Sequence, residues 1–244
     1  MKLIEVKDYQ EMSRRAAEFI IEKVRNAHAI NLGLATGGTP VGTYQCLVED
    51  HKKNLTSYKN VTTFNLDEYV GLSGKNPNSY RYYMNENLFN HIDIDASHTH
   101  IPQGNAEDLE KECIFYEQEI ERHGGIDLQV LGIGSNGHIG FNEPGTSFNT
   151  GTHIVDLAPS TREANARYFA SQEEVPSKAI TMGISTILKS KEILLLVSGE
   201  RKQEALVKLF EGEVDERFPA SVLKNHPCVT IIADEAAIPE KVRN

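Results

Sequence analysis

The chain has 244 residues, 39% of them hydrophobic and 25% charged, enough apolar content for a full core, which excludes wholesale disorder. Acidic residues outnumber basic ones 35 to 25, for a formal charge of −10. A general nucleic-acid or anionic-membrane binder needs a basic face, so that class is disfavoured, while a local basic pocket for a small anion stays open. Cys46, Cys113 and Cys228 lie far apart with no CxxC, which argues against a disulfide framework and a zinc ribbon. The first residues carry no apolar stretch of signal-peptide length, and the longest apolar run, Ile193 to Val197, is far too short to span a bilayer. The chain reads as reduced, soluble and cytoplasmic, with no membrane partner and no nucleic-acid partner.

The elements alternate. Leu3 to Val6 reads as a strand. Asp8 and Glu11 form a D-x-x-E start signal for a helix that carries Met12, Ala16, Phe19, Ile20 and Val24 at helical spacing. Ala29 to Ala35 is a strand ending in a glycine loop. Thr39-Pro40 reads as an N-cap and an N1 proline opening a helix toward Glu49. Val61 to Leu66 is a strand and Ser79 to Phe89 a helix. Ala106 to Arg122 is a long helix stopped by Gly124-Gly125. Ile126 to Ile133 is a strand apolar enough to be buried on both faces, and His153 to Leu157 is a candidate for another. A helix follows over Ser160 to Ala170, then a short extended piece from Ala179 to Met182. Ile193 to Val197 is a central strand, Glu200 to Phe210 a helix, and Val229 to Ala233 the last strand. Such alternation implies an α/β fold with a mostly parallel sheet covered on both faces. No linker-like stretch or repeat divides the chain, so a single domain over 1–244 is expected.

In open parallel sheets, ligands bind outside the carboxyl ends of the strands. After Ala35 comes Thr36-Gly37-Gly38-Thr39, where two glycines and a helix start suit an anion; the bland alternative is a tight turn with a capping threonine. After Val197 comes Ser198-Gly199-Glu200-Arg201-Lys202. Cations in a helix's first turn oppose the macrodipole unless an anion binds there; otherwise they are a solvated pair. Arg162 and Arg167 follow Pro159 on the next predicted helix, where most arginines are solvated. After Leu66 comes Asp67-Glu68-Tyr69. A carboxylate there is partly desolvated and suits a base, although a helix or turn cap is the favoured explanation on these residues alone. Asp67 and Glu68 point to opposite faces of a strand and need not share a job.

The densest stretch runs from Gly132 to Gly145. Gly132, Gly134 and Gly137 match G-x-G-x-x-G, with Asp156 further on, which suggests a dinucleotide site. That fingerprint needs a long helix directly after the glycines, and Glu143-Pro144-Gly145 intervenes too soon, so we read it as a coincidence. The alternative is a catalytic loop: a histidine side chain can take up and release protons near neutral pH, and beside His138 stand Asn136, Asn142 and Glu143, an amide or carboxylate of which could fix its tautomer. His98 and His100 could face one way on a strand as a metal pair, but no third ligand is evident, so no metal is expected.

Five blocks carry a resemblance: Leu34 to Pro40, Thr63 to Gly71, Gly132 to Pro144, Thr161 to Arg167, and Ser198 to Lys202. In this order they resemble the glucosamine-6-phosphate isomerase family, the deaminases in particular, over nearly the whole length. The resemblance implies a modified Rossmann-like, three-layer α/β/α sandwich that binds no nucleotide. It implies conversion of glucosamine 6-phosphate and water to fructose 6-phosphate and ammonia, with no cofactor. Asp67 resembles the base that moves a proton between C2 and C1. His138 resembles the acid/base that opens the sugar ring, with Asn136 and Glu143 holding it. Thr36, Gly37, Gly38, Thr39, Arg167 and Lys202 resemble the phosphate cradle. Some members carry Asp where Asn136 stands. Certain relatives have an allosteric site for N-acetylglucosamine 6-phosphate built on basic residues after the Glu143 loop; Thr146 to Leu157 holds no Lys or Arg, so no such activation is expected. Another phosphosugar isomerase or lactonase of the same fold, or a non-catalytic sugar-phosphate sensor, are the alternatives. A homo-oligomer is left open.

Overall fold

The computed structural model describes residues 1–166, 169 and 171–239. In chain order its elements are β1 (Lys2–Val6), α1 (Tyr9–Asn26), β2 (Ile30–Leu34), α2 (Val41–Asn54), β3 (Val61–Asn65), β4 (Asp67–Tyr69), α3 (Tyr80–Asn87), β5 (Thr99–His100) and α4 (Leu109–Arg122). There follow β6 (Leu128–Gly132), β7 (His153–Asp156), α5 (Pro159–Asn165), β8 (Lys178–Thr181), α6 (Ile184–Leu188), β9 (Glu192–Val197), α7 (Gln203–Glu211) and β10 (Val229–Asp234).

Seven parallel strands form one sheet in the order β1-β10-β9-β6-β2-β3-β5. Period-two burial explains why it is covered twice. Leu194 and Leu196 of β9 pack into a cluster with Met12, Ala16 and Ile20 of α1 and Leu47 of α2. Ile193, Leu195 and Val197, between them, pack with Tyr116 and Ile120 of α4 and Leu206 and Leu209 of α7 on the other face. The result is an α/β/α sandwich around a mostly parallel sheet. Helix α1 begins where the D-x-x-E signal predicts: Asp8 accepts from the Glu11 amide at 2.9 Å, and Glu11 reaches back to the Lys7 amide at 2.9 Å.

Two features of this topology place the site. From β2 the chain steps outward through β3 to β5, whereas β6, β9 and β10 step the other way. The boundary between β2 and β6 is therefore the switch point, and the loops that follow these two strands splay apart over a crevice. Next to it, Leu66 joins two sheets. Its amide donates to Leu34 O at 3.0 Å in the large sheet, and its carbonyl accepts from the Met182 amide at 2.6 Å in a small antiparallel sheet of order β4-β8-β7. Asp67 is the first residue after this hand-over.

Several expectations need correction. Thr39 is not the N-cap of α2; Pro40 is, and it makes no side-chain cap hydrogen bond. Helix α5 covers Pro159–Asn165; Arg167 and Ala170, in the rest of the helix expected there, lie outside the described residues. Glu200–Lys202 form a single 3-10 turn ahead of α7 rather than its first α-helical turn, entered through Gly199 at φ +90°. His98 ends a 3-10 turn and is not in a strand with His100, so the alternation that paired the two does not apply. Strand β4, helix α6 and the 3-10 segment Pro219–Asn225 were not foreseen.

Candidate active site

A cleft of about 520 Å³ opens over the carboxyl ends of β2, β6 and β9. Thr36 to Thr39, Asp67, Asn136, His138 and Lys202 line it together, although they come from four separate stretches of chain. Glu143 stands behind His138. Of the residues singled out from the sequence, Arg167 alone lies outside the described residues.

The loop after β2 is held from below by three tyrosines. Tyr44 donates to Ala35 O at 2.5 Å, Tyr83 to Gly37 O at 2.7 Å and Tyr9 to Gly38 O at 3.0 Å. Gly37 sits at φ +95°, a conformation side chains disfavour. The loop runs into the N-terminus of α2, which carries no acidic residue in its first turn. Unneutralised helix amides beside a glycine turn favour an anion. Across the crevice, Lys202 donates to Ile133 O at 2.7 Å and brings a cation to the same cleft. Its turn is fixed by buried Asp234, which accepts from Ser198 Oγ and from the Gly199 and Ala237 amides, the latter two at 3.0 and 2.9 Å. Arg162 turns elsewhere, donating to Gln172 O and Val175 O at 3.3 and 2.9 Å.

Asp67 lines the cleft and is 6% exposed, beside Glu68 at 2%. Burial, with the adjacent Glu68 charge adding to it, pushes the Asp67 carboxyl up to about 8. Gly140 keeps the wall next to it open: a side chain there would come within 3.6 Å of Asp67 Oδ2 and 3.0 Å of Thr181 Oγ1. Glu68 faces the other way. It accepts from the Tyr69, Tyr80 and Arg81 amides at 2.9, 2.9 and 3.0 Å and so closes the N-terminus of α3.

The stretch after β6 contains turns and a lone bridge, Ile139↔Asn142, with no helix up to β7, so the dinucleotide pattern of glycines is not a dinucleotide fold. The glycines serve His138 instead. A Cβ at Gly134 would lie 2.3 Å from His138 Cε1, so the imidazole rests directly on that backbone. Glu143 Oε2 is 3.7 Å from His138 Nδ1, an ion-pair distance slightly long for a hydrogen bond. Asn136 does not hold the ring itself: its Nδ2 donates to Glu143 Oε2 at 2.7 Å, and its Oδ1 accepts from the His138 amide at 3.2 Å. Thr161 donates to Glu143 Oε1 at 2.5 Å. Burial alone would raise the Glu143 carboxyl, but His138, Thr161 and Asn136 together bring it down to about 2. Thr161, Gly134, Asp234 and the three tyrosines were not picked out as site residues, because a buttress has no local signature: its meaning lies in a contact distant in sequence.

A buried carboxyl poised to exchange a proton, an imidazole backed by a fixed carboxylate, and an anion cradle share one cleft. That set can transfer protons on a small molecule held by a remote charged group. The family model described as "Glucosamine-6-phosphate isomerases/6-phosphogluconolactonase" matches residues 7–231. The glucosamine-6-phosphate deaminase of Geobacillus sp. (strain WCH70) is 62% identical over 238 residues, 98% of this chain and 95% of that protein. The solved structure of a monomeric glucosamine-6-phosphate deaminase superposes with a TM-score of 0.96 at 54% identity, covering 97% of this chain and 98% of that one. A 6-phosphogluconolactonase from Thermotoga maritima, 21% identical with a TM-score of 0.72 over 96% of this chain and 99% of that one, shares the fold alone. The chain therefore belongs to the family of glucosamine-6-phosphate isomerases and 6-phosphogluconolactonases.

Proposed function

We infer that this chain is an enzyme that converts glucosamine 6-phosphate and water to fructose 6-phosphate and ammonia. Its sequence relatives carry the name glucosamine-6-phosphate deaminase, and the observation that carries the chemistry is Asp67, buried, on the cleft and held near pH 8. The phosphate takes the Thr36–Thr39 loop and Lys202, with Arg167 as a further ligand. This group does no chemistry; it fixes where the reacting carbons lie.

His138 accepts the proton from O1 and returns one to O5 as the ring opens, while the Glu143 carboxylate stabilises the intervening imidazolium. In its ionised form Asp67 then takes the C2 proton while O1 gains a proton given up by the substrate's own ammonium group; returning the C2 proton to C1 leaves a C2=N imine. Water adds at C2 and ammonia leaves, giving the ketose. Each acid–base group of this kind contributes about 10²–10⁴ in rate.

Among the described residues, no helix is long and apolar enough to cross a membrane. A cytoplasmic, monomeric enzyme in amino-sugar breakdown fits these features and the monomeric neighbour. The test is incubation with glucosamine 6-phosphate and, separately, with 6-phosphogluconolactone. Ammonia and fructose 6-phosphate from the first support the reading. Lactone hydrolysis with no ammonia moves the chain to the lactonases, and binding without turnover makes it a sensor.

A further inference from the structure

His100 is the one histidine of the predicted metal pair that the fold places among other donors. It ends β5 at the edge of the sheet, paired with Phe64 and stacked on that ring at 4.7 Å between centroids. Glu119 and His123 lie one helical turn apart at the end of α4. One ligand atom from each of the three lies within 4.8 Å of the others. None of the three lines the cleft.

We propose that His100, Glu119 and His123 bind a single divalent cation of the zinc class, at the sheet edge and apart from the catalytic cleft. The donor set of two imidazoles and one carboxylate is the borderline-soft combination Zn²⁺ takes in three-ligand sites, with a fourth position for water. The imidazoles are prepared for it. His123 Nδ1 lies 2.8 Å from Glu119 O, which makes that nitrogen the protonated one and leaves the Nε2 lone pair free. Metal-bound histidines are oriented by this kind of carbonyl contact. His100 Nε2 is buried and has no hydrogen-bond partner. An unpaired buried nitrogen is costly, and a cation bound to it would satisfy it. Glu119 is buried and one of its oxygens, Oε2, accepts from Arg122 at 2.6 Å; a carboxylate can ligate through one oxygen while the other takes a hydrogen bond.

Tetrahedral zinc with ligand bonds of about 2.0–2.1 Å holds its donors roughly 3.3 Å apart, so the side chains must close by up to about an ångström and a half, within reach of small χ rotations. The Arg122 charge opposes the cation, but that side chain is 70% exposed and screened by water. Bound metal would tie an edge strand of only two residues to the end of a long helix, and so would raise stability without touching the reaction.

The test uses the full chain, stripped with a chelator and titrated with Co²⁺ and Zn²⁺ alone. One equivalent of Co²⁺ with the intense visible absorption of a tetrahedral site, displaced by Zn²⁺, is expected, together with a rise in Tm. Glu119→Gln and His123→Gln should each weaken binding by ~10-fold or more, while His91→Gln, an exposed histidine, leaves it unchanged. Ammonia production by the stripped protein should equal that of the loaded one. No stoichiometric binding, a pale octahedral Co²⁺ spectrum, or equal affinity in all variants overturns the proposal. A variant that fails to fold is set aside and the parent's spectrum decides. Since metal binding and Tm are read without turnover, failure here leaves the deaminase reading untouched.

Discussion

Asp67 and Glu68 are consecutive, both buried, and turned to opposite tasks. Glu68 takes three backbone amides and fixes the start of α3, the helix that carries Tyr80 into the cleft and Tyr83 under the Thr36–Thr39 loop. Asp67, on the other face, opens into the cleft with burial against it. The cap expected of this acidic pair is real, but it belongs to Glu68.

Stability should carry the signature of Asp67. A carboxyl whose folded value is about 8, against 3.8 unfolded, binds its proton more tightly when folded. Its contribution is therefore full below 3.8 and is lost as pH rises through about 8. Asp67→Asn removes that loss. Thermal unfolding should show the variant level with the parent at low pH and increasingly more stable toward pH 9, by on the order of a few kcal/mol. A gap that does not change with pH contradicts a carboxyl raised by burial.

Asn136→Asp puts a carboxylate where Nδ2 now donates to Glu143 at 2.7 Å. Glu143 loses a donor and gains a like charge, so its carboxyl rises from the present value of about 2. The acidic limb of the kcat/KM profile should move upward. A limb that stays in place means that Asn136 does not act on the His138–Glu143 pair.

Gly134→Ala drives a methyl into the His138 ring, 2.3 Å from Cε1. The ring must move, and displacement of about 1 Å at an acid–base group costs about 10² in rate. Steady-state kinetics should show kcat falling while KM changes little, because the phosphate cradle is on other loops. A KM effect without a kcat effect would show that Gly134 serves binding instead.

Lys202→Met removes the cradle's cation. A hydrogen bond to a charged group contributes about 1.5–3 kcal/mol, or ~10–100-fold in affinity. KM and the inhibition constant of inorganic phosphate should rise together by that factor, with kcat changed far less. An unaltered phosphate inhibition constant would place the phosphate elsewhere.

Much of the fold was legible because it is written locally. The central strands are continuous apolar runs, as in Ile193 to Val197, and α1 carries both its capping signal and its apolar stripe. What was missed is what local pattern cannot hold. Strand β4 is three residues long and begins with two acids, which sheets normally avoid, and only its antiparallel partner β8 makes it a strand. Lys202 was placed in the correct loop but in the wrong kind of turn, since Gly199 sets that geometry. His100 lacked a third ligand in sequence because its neighbours lie on α4, about a fifth of a hundred residues away in chain but adjacent in space. The side chains proposed as catalytic lie at strand ends, where topology exposes them; their supports, Thr161 and Asp234, show only through the contacts they make.

The role of Asp67 is most directly tested by kcat for ammonia and fructose 6-phosphate production at saturating glucosamine 6-phosphate, in the parent and in Asp67→Asn. The substitution should lower kcat by about 10²–10⁴ while the variant still binds the sugar phosphate with its original affinity. A folded Asp67→Asn protein that releases ammonia at close to the parent's rate would contradict the assignment.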